Sequence, residues 1–498
     1  MNRSMIRYIL GYVIQIEGAL LLFPCVVALV YREREGIFYC IVAFICLFLG
    51  AAMSHRKPQD QVFYLKEGCV TTALSWIFLS LFGCIPFVLS GEIPSFTDAL
   101  FETISGFTTT GASILTDVEV LSHCSLFWRS FTHWIGGMGV LVFLLAIIPL
   151  SGGSHINLMR AESPGPSVGK LVPKVKYTAR LLYIIYFGMT LLEYILLIVG
   201  RMPAFHALCT AFGTAGTGGF GTKNDSLAGF SPYIQWVVAI FMILFGVNFN
   251  MYYLLLFRNV KKAFGMEEVR GYFVIIAAAV GIIFVEICQT SVNSATALRD
   301  AVFQVASIIT TTGYSTVDFN TWSQSCKVVL VLLMFIGACA GSTGGGIKVS
   351  RFQILFKTVR KELDSYIHPK SIKKIRMDNK PIEHEVVRAV NVYFITFMIL
   401  FSVSVFLVSL EGNDLVTSFT AVAATINNIG PGLEMVGPAS NFSVLGTFSK
   451  YVLMFDMIAG RLELFPLLIL FYPPLWRDLF VKKYVNRRKN KKMHEVNS

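Results

Sequence analysis

Charged residues are scarce in this sequence. They make up 14% of its 498 residues, whereas soluble proteins carry about a quarter. The ten cysteines form no Cys-x-x-Cys pair, and the eight histidines form no His-Glu-x-x-His motif. The low charge argues against a soluble domain, and the missing motifs argue against zinc and metalloprotease chemistry. We expect the cysteines to be small buried side chains, with a disulfide between Cys124 and Cys326 left open as an alternative.

Two glycine-rich stretches resemble nucleotide-binding motifs but lack their context. Residues 341–348 approach the pattern of a phosphate-binding loop, yet the lysine comes one residue late and Val349 stands where Ser or Thr belongs. Residues 216–221 match Gly-x-Gly-x-x-Gly, and neither stretch follows a strand pattern. No nucleophile and base occur together in any recognisable arrangement, so we predict that the chain is not an enzyme and has no catalytic residues.

Long apolar runs are abundant instead. Residues 126–150 and 233–257 are each long enough to cross a hydrocarbon core of about 30 Å. The first run, residues 6–31, exceeds the length of a signal-peptide core and lacks a small-residue cleavage site. A second run follows at residues 36–54. We predict an all-α polytopic membrane protein with two extra membrane helices at its N-terminus.

Four short stretches rich in threonine, glycine or asparagine recur along the chain. Their central glycines, which are 108, 94 and 117 residues apart, are Gly111, Gly219, Gly313 and Gly430. The stretches read FTTTGAS, AGTGGF, ITTTGYS and INNIGP. Regular spacing of related stretches indicates four diverged copies of one structural unit.

Each copy lies in the same setting: a first membrane helix, a short helix, the loop with its central glycine, and a second membrane helix. We predict first helices near 68–90, 178–200, 268–289 and 386–410, and second helices near 126–149, 232–257, 326–357 and 446–476. The short helices, of about 10–14 residues, are too short to span and are predicted to be re-entrant. The resulting units are 1–60 (N-terminal extension), 61–160, 161–265, 266–380 and 381–480 (pore repeats 1 to 4) and 481–498 (basic tail).

Lysine and arginine are distributed unevenly about these helices. If the N-terminus is cytoplasmic, 33 of the 42 basic residues fall on the cytoplasmic side and eight fall outside. The excess of positive charge on the cytoplasmic side predicts that both termini are cytoplasmic and that all four loops open outward. It also accounts for the net charge of +12 through contact with anionic membrane lipid, so we expect no nucleic-acid partner.

The loops have the composition of a cation filter. A dehydrated potassium ion needs oxygens in place of its water shell, and rings of backbone carbonyls supply them in potassium channels. Glycine adopts the backbone angles that such rings need at little steric cost. We predict a pseudo-fourfold pore for potassium ions lined by Thr110, Gly111, Gly218, Gly219, Thr312, Gly313, Ile429 and Gly430.

Several motifs resemble those of the TrkH/TrkG/KtrB family of bacterial potassium uptake proteins, and its TrkH branch in particular. They include 105–112 (SGFTTTGA), 160–166 (RAESPGP), 341–346 (GSTGGG), 427–432 (NNIGPG) and 460–463 (GRLE). The resemblance implies potassium uptake across the bacterial inner membrane, a homodimer, and cytoplasmic nucleotide-binding regulatory subunits of the TrkA type. In related plant transporters, a serine in place of the first filter glycine goes with sodium transport, so the glycine at position 111 favours potassium. The second loop departs from the family pattern because it is richer in glycine.

Two features predict a gate. A glycine-rich segment spans residues 337–346 and contains Gly344, Gly345 and Gly346. It cannot form a straight helix without a high cost in free energy, since each glycine destabilises a helix. The resemblance implies a gating loop there; close helix packing is the alternative. Arg461 lies in an apolar stretch, where a charge must face the pore or a partner. We predict that it lies under the filter and restricts flow, against the alternative of an ion pair with Asp456 or Glu463.

Coupled transport remains an open alternative to a simple conduction pathway. Glu193 and Glu286 lie in predicted first helices, where a carboxylate is either a hydrogen-bonded packing residue or a proton relay. The second role would make the chain a potassium symporter driven by H⁺ or Na⁺.

Overall fold

A computed structural model describes residues 1–59, 63–139, 175–289, 293–370 and 373–477 of the chain. Their regular secondary structure is almost entirely helical. Within them, strand structure is confined to a two-stranded hairpin that pairs Arg376–Met377 with Lys380–Pro381. Many large apolar side chains point outward from the long helices, as a lipid-facing surface requires. The predicted all-α fold class is therefore what the chain adopts.

The N-terminal extension consists of two membrane-length helices. Arg3–Leu20 continues into Leu22–Tyr31, and Gly36–Ser54 follows after a short turn. The two helices approach closely through glycine, since a β-carbon placed on Gly11 would lie 2.9 Å from the carbonyl oxygen of Gly50. Small residues at such contacts let helix backbones pack tightly in membranes.

The first helices of the four repeats lie close to their predicted positions. They are Leu65–Gly83 with its continuation Ile85–Ser90, Val175–Val199, Glu267–Cys288 and His384–Ser409. Each is followed by a short helix of 12 to 16 residues. These are Phe96–Phe107, Ala204–Gly216, Ser294–Ile309 and Leu415–Ile426. Three begin at a capping side chain, from Ser95, Asn293 or Asp414, which accepts a hydrogen bond from a first-turn N–H.

The second helices of repeats 2, 3 and 4 are broken, and here two sequence predictions need correction. The second helices of repeats 2 and 4 were predicted to be continuous. In repeat 2, Pro232–Phe245 and Phe249–Leu256 meet at an angle of 89°. Repeat 3 has Gln324–Ile336 and Val349–Ile367 on either side of the glycine-rich segment, and repeat 4 has Thr447–Arg461 and then Phe465–Leu468.

In repeat 1 the described second helix is His123–Met138. Its predicted continuation to residue 149, the boundary at 160/161, the 160–166 motif and the basic tail at 481–498 lie outside the described residues. Among those described, six helices are long and apolar enough to cross a membrane, or seven if the bent pair of repeat 2 is counted as one span. The shorter, broken second helices account for most of the difference from the ten spans expected from sequence.

The breaks of repeats 2 and 3 satisfy each other's backbone groups. The Cys339 N–H donates to the Gly246 carbonyl at 3.0 Å, and the Phe249 N–H donates to the Gly341 carbonyl at 3.0 Å. Irregular backbone is tolerated at membrane depth only when its polar groups find such partners. The two breaks are thus one structural feature built from two repeats.

Candidate functional site

The four loops meet in a closed ring. We number them 1 to 4 and take them as residues 108–111, 216–219, 310–313 and 427–430. A β-carbon placed on Gly111 would overlap the carbonyl oxygen of Gly218, and one on Gly219 would overlap that of Thr312. From Gly313 it would lie 2.9 Å from the nitrogen of Gly430, and from Gly430 it would lie 3.0 Å from the oxygen of Gly111. Each loop therefore touches the next, and loop 4 returns to loop 1.

The eight residues predicted to line the site are all brought together by this ring. Besides the four glycines, it includes the residue before each of them: Thr110, Gly218, Thr312 and Ile429. The Thr110 carbonyl oxygen lies 3.5 Å from the β-carbon position of Gly430, and Thr312 and Gly218 face the glycines of neighbouring loops. Four loops that are widely separated in the sequence thus form one compact cluster of backbone oxygens.

The loop backbone alternates in handedness. Thr109 and Gly111 have φ of 55° and 79°, Thr217 and Gly219 have 53° and 80°, and Thr311 and Gly313 have 58° and 88°. Loop 4 has Asn428 at 56°. A left-handed conformation at every second residue turns successive carbonyl groups toward the same side of the chain. Since β-branched residues rarely adopt positive φ, the three threonines hold strain of about 1–3 kcal/mol each.

The short helices end at these loops. Each runs into the first residue of its loop or the residue before it, so its carboxyl terminus faces the ring. A helix carboxyl end carries about half a negative charge. Threonine hydroxyls continue the pattern: Thr108 Oγ1 lies 2.8 Å from Thr110 Oγ1, and Thr310 Oγ1 lies 2.8 Å from Thr312 Oγ1. The ring therefore concentrates partial negative charge without a carboxylate in the loops.

Loop 2 differs from its neighbours because a histidine occupies the space beside it. The fully buried His133 ring lies where a β-carbon on Gly218 would be, and it packs edge-on against Phe220 with the ring centroids 4.3 Å apart. Loops 1 and 3 carry Thr110 and Thr312 at the equivalent position. The high glycine content of loop 2 is therefore the complement of a bulky residue on the second helix of repeat 1.

The glycine-rich segment lies at the inner ends of loops 3 and 4, by which we mean the ends that adjoin the short helices. The Gly345 N–H donates to Thr311 Oγ1 at 2.6 Å, and the Gly346 N–H donates to the Asn427 carbonyl at 3.1 Å. A β-carbon on Gly344 would lie 2.8 Å from the Thr310 carbonyl oxygen. The three glycines predicted as a gate are thus in direct contact with the ring.

Arg461 links this segment to repeat 1. Its guanidinium donates to the Thr343 carbonyl at 3.0 Å, to the Gly137 carbonyl at 3.0 Å and to the Gly136 carbonyl. The alternative ion-pair partners are engaged elsewhere, since Asp456 accepts from Ser404 Oγ at 2.8 Å and Glu463 pairs with Arg351. Gly136 itself packs on the Phe107 carbonyl, next to loop 1. Arg461 therefore joins the glycine-rich segment to the backbone beside loop 1.

The chain matches a known protein family over most of its length. The family model TrkH, described as a cation transport protein, matches residues 35–481. The chain belongs to the TrkH family. The Trk system potassium uptake protein TrkH of Salmonella typhimurium is 35% identical over 491 residues, which is 96% of this chain and 100% of that protein. TrkG of Escherichia coli K12 is 33% identical over 490 residues, with the same coverage.

A solved structure of the family has the same fold. The crystal structure of the potassium transporter TrkH from Vibrio parahaemolyticus superposes with a TM-score of 0.87 at 31% identity, over 96% of this chain and 100% of that one. The predicted resemblance and fold class are confirmed. Because the TrkH family consists of cation transport proteins, the prediction that the chain is not an enzyme is confirmed as well.

Several residues around the ring of four loops were not predicted to have a role from the sequence. Glu268 on the first helix of repeat 3 accepts hydrogen bonds from the Ala340 N–H at 2.6 Å, the Ser350 N–H at 3.2 Å and Asn248 Nδ2 at 3.2 Å, and so fastens both breaks. The buried Lys348 donates to the Gly344 carbonyl. A signal was present, because each is a charged residue beside an apolar membrane segment.

Two further expectations are corrected. Arg129 is one of the eight basic residues that the charge count placed outside, but it does not face solvent: it is 3% exposed in the second helix of repeat 1. The open alternative of a disulfide between Cys124 and Cys326 is wrong, since all ten cysteines are free. Both buried thiols sit in the first turn of a second helix, where they act as small packing residues.

Proposed function

We propose that the chain is a potassium uptake protein that conducts potassium ions through the ring of four loops. The observation that carries this proposal is the closed cycle of contacts from loop 1 through loop 4, with left-handed residues alternating in its backbone. The names of the similar proteins, potassium uptake proteins of the Trk system, support the same ion. Potassium is the cargo in this account, not a resident cofactor.

The ring acts by replacing water. The carbonyl oxygens of Thr110, Gly218, Thr312 and Ile429, and those of the four glycines after them, substitute for the hydration shell of the ion. The carboxyl ends of the short helices favour a cation there. Held at strained backbone angles, the oxygens cannot easily close around a smaller ion such as sodium. Preference for potassium then follows from the rigidity of the ring.

The gate in this proposal is formed by Gly344, Gly345 and Gly346, and the hydrogen bonds of Arg461 hold it closed. The segment crosses the inner ends of loops 3 and 4, and Arg461 ties it to the backbone of Gly136 and Gly137 on the opposite side. Release of the Arg461 hydrogen bonds would free the segment to move aside. Glycines without side chains allow that movement at little steric cost.

The chain would work as the membrane subunit of a Trk-type system in the bacterial inner membrane. The excess of basic residues on one side supports cytoplasmic termini and outward-facing loops. We also propose that the chain forms a homodimer and works with cytoplasmic nucleotide-binding regulatory subunits, for which its similarity to Trk system proteins is the support. The division into four pore repeats at the boundaries given above is part of the same proposal.

Rubidium uptake into proteoliposomes tests this function. Rubidium replaces potassium closely in size, so vesicles that contain the chain are expected to accumulate it, with weak competition by sodium. Gly111→Ser would place a side chain against the Gly218 carbonyl; we expect it to weaken discrimination against sodium by about tenfold, or about 1.4 kcal/mol. Failure of the wild-type chain to take up rubidium under an inward gradient would overturn the proposal.

Coupled symport is the second candidate, and the burial of Glu193 favours it. This carboxylate is fully buried in the first helix of repeat 2, and a buried ionisable group in a membrane helix often serves transport. Glu286, the other acidic residue considered, contacts Ser325 Oγ at 3.4 Å. If symport operates, uptake at a fixed membrane potential and rubidium gradient changes with the proton or sodium gradient; if the ring simply conducts, uptake is independent of both.

A further inference from the structure

A buried ion pair lies at the outer ends of loops 1 and 2. Glu102 belongs to the short helix of repeat 1, and Arg129 belongs to the second helix of the same repeat. Glu102 Oε1 accepts a hydrogen bond from Arg129 Nε at 2.8 Å, and Arg129 Nη2 lies 2.7 Å from the same oxygen. The side chains are 0% and 2% exposed, respectively. The two charges are therefore removed from solvent and joined by a charge-assisted hydrogen bond.

The carboxylate holds the segment that follows loop 1. Ser113 Oγ lies 3.0 Å and 3.1 Å from its two oxygens, and the Ile114 N–H donates to Oε2 at 3.0 Å. Ser113 and Ile114 are the second and third residues after Gly111. The Glu102 side chain thus holds the backbone that directly follows loop 1.

The guanidinium reaches the segment that follows loop 2. Arg129 Nη1 donates to the Gly221 carbonyl at 3.3 Å, and the guanidinium carbon lies 4.1 Å from the centre of the Phe220 ring. Phe220 and Gly221 are the first and second residues after Gly219. A single ion pair therefore connects the outer ends of two neighbouring loops.

Equivalent positions in the other repeats are not charged. Nine residues before the central glycine, repeat 1 has Glu102, whereas repeats 2, 3 and 4 have Thr210, Gln304 and Ala421. Gln304 Nε2 lies 3.5 Å from Thr316 Oγ1, so a neutral amide can contact the segment after loop 3. A buried ion pair gives little net stability over apolar packing because both charges are desolvated. Its presence between loops 1 and 2 points to a role in positioning.

We infer that Glu102 and Arg129 are positioning residues that set the spacing between loops 1 and 2 and thereby the ion selectivity of the ring. The inference rests on the proposed function. Neither side chain contacts the conducted ion; both act through the backbone at residues 113, 114 and 221. Loss of the pair lets the two loops move relative to each other, so that their oxygens can adjust to sodium.

Three variants test this inference in the full-length chain reconstituted in proteoliposomes. Glu102→Gln removes the negative charge and keeps the size. Glu102→Gln with Arg129→Gln removes both charges, so no unpaired charge stays buried and folding is favoured over the single variant. Ser113→Ala removes the hydroxyl that donates to Glu102 and accepts from Arg129 Nη2 at 3.4 Å, and it leaves the ion pair intact.

The matched control is Glu92→Gln. Glu92 accepts from the Ser122 N–H at 2.6 Å and from Ser90 Oγ at 3.2 Å, in the same repeat and next to the same second helix, but it has no contact with a loop. The measurement is the ratio of rubidium to sodium uptake, with the elution profile and melting temperature in detergent recorded for each variant. A residue that serves stability alone would change the melting temperature and leave the ratio unaltered.

We expect the ratio to fall about tenfold in both Glu102 variants, equivalent to about 1.4 kcal/mol, and by a smaller factor in Ser113→Ala, while Glu92→Gln keeps the wild-type ratio. Wild-type uptake with unchanged ratios in Ser113→Ala and the double variant would overturn the inference alone. No rubidium uptake by the wild-type chain would overturn the proposed function, and the positioning role with it.

Discussion

At the scale of single residues, the ring depends on matched pairs that come from different repeats. Gly218 has no side chain because the His133 ring fills that space. Asn428 Nδ2 of loop 4 donates to Thr110 Oγ1 of loop 1 at 3.0 Å and to the Met457 carbonyl at 2.9 Å. Such pairs fix the position of one loop relative to another, so a substitution of either residue is expected to change the geometry of the ring.

Gly218→Thr, which gives loop 2 the residue of loops 1 and 3, is expected to abolish rubidium uptake. The new side chain would overlap the His133 ring, and overpacking a tight core typically costs about 1–3 kcal/mol. His133→Ala combined with Gly218→Thr should recover part of the uptake, because it removes the overlap. Gly188→Ala, at a helix position with open space around it, is the control. Full activity of Gly218→Thr alone would contradict the packing described here.

Of the pair formed by Gly218 and His133, the sequence predicted only Gly218. The four glycines and the residues before them were identified because they recur at related positions along the chain. His133 carries no such signal, since a lone histidine in an apolar helix is compatible with many roles and its partner lies 85 residues away in the next repeat. Pairs between repeats depend on three-dimensional contact, which repeat spacing does not reveal.

At the scale of secondary-structure elements, the broken second helices carry the moving part of the proposed mechanism. The glycine-rich segment was predicted from composition alone, because ten residues with five glycines do not sustain a helix. The bend at Gly246 was not predicted, since a single glycine in an apolar run is compatible with a straight helix. What decides the bend is the pair of backbone hydrogen bonds from the neighbouring repeat.

Arg461→Ala is expected to raise rubidium uptake several-fold in the absence of any regulatory subunit. It removes the hydrogen bonds that join the Thr343 carbonyl to those of Gly136 and Gly137 and so releases the segment. Arg461→Lys should have an intermediate effect, because an ammonium group cannot reproduce the flat fork of the guanidinium. Uptake by Arg461→Ala at the wild-type rate would exclude Arg461 from gating.

The N-terminal extension is attached to repeat 1 by a carboxylate, which predicts a dependence of stability on pH. Burial raises the pKa of Glu33, but hydrogen bonds from the backbone N–H groups of His123 and Cys124 and from the His123 ring outweigh burial and lower the pKa. A lowered pKa in the folded state stabilises the fold at higher pH. That contribution is lost as pH falls below about 4.3, the ordinary glutamate pKa, toward the folded pKa.

We therefore expect the melting temperature in detergent to drop less on acidification in Glu33→Gln than in the wild-type chain. Glu35→Gln, two residues further along in the same turn, serves as the control and should follow the wild-type curve. Equal acid sensitivity of Glu33→Gln and the wild type would show that this attachment does not contribute.

At the scale of the whole molecule, the apolar runs and the repeat pattern were enough to predict the order of the helices. Two N-terminal helices, four first helices and four short helices lie where the apolar runs and loop spacing indicated. The buried contacts of Arg129 and Lys348 could not be predicted in the same way, because their partners, Glu102 and the Gly344 carbonyl, are identified only by the three-dimensional structure.

The orientation in the membrane can be tested by labelling single cysteines in a cysteine-free background. Asp225 and Lys380 are both exposed, and the charge distribution puts them on opposite sides. We expect an impermeant maleimide to label Asp225→Cys in intact cells and Lys380→Cys only after the cells are opened. The reverse pattern would invert the proposed topology.

The most direct test of the ring is to locate a bound ion. Crystals of the chain grown in rubidium and measured at the rubidium absorption edge should show anomalous density enclosed by the carbonyl oxygens of Gly111, Gly219, Gly313 and Gly430 and of the residues before them. Replacing rubidium with sodium should remove the ordered ion at that position. Anomalous density located elsewhere in the membrane region, with none inside the ring, would contradict the account.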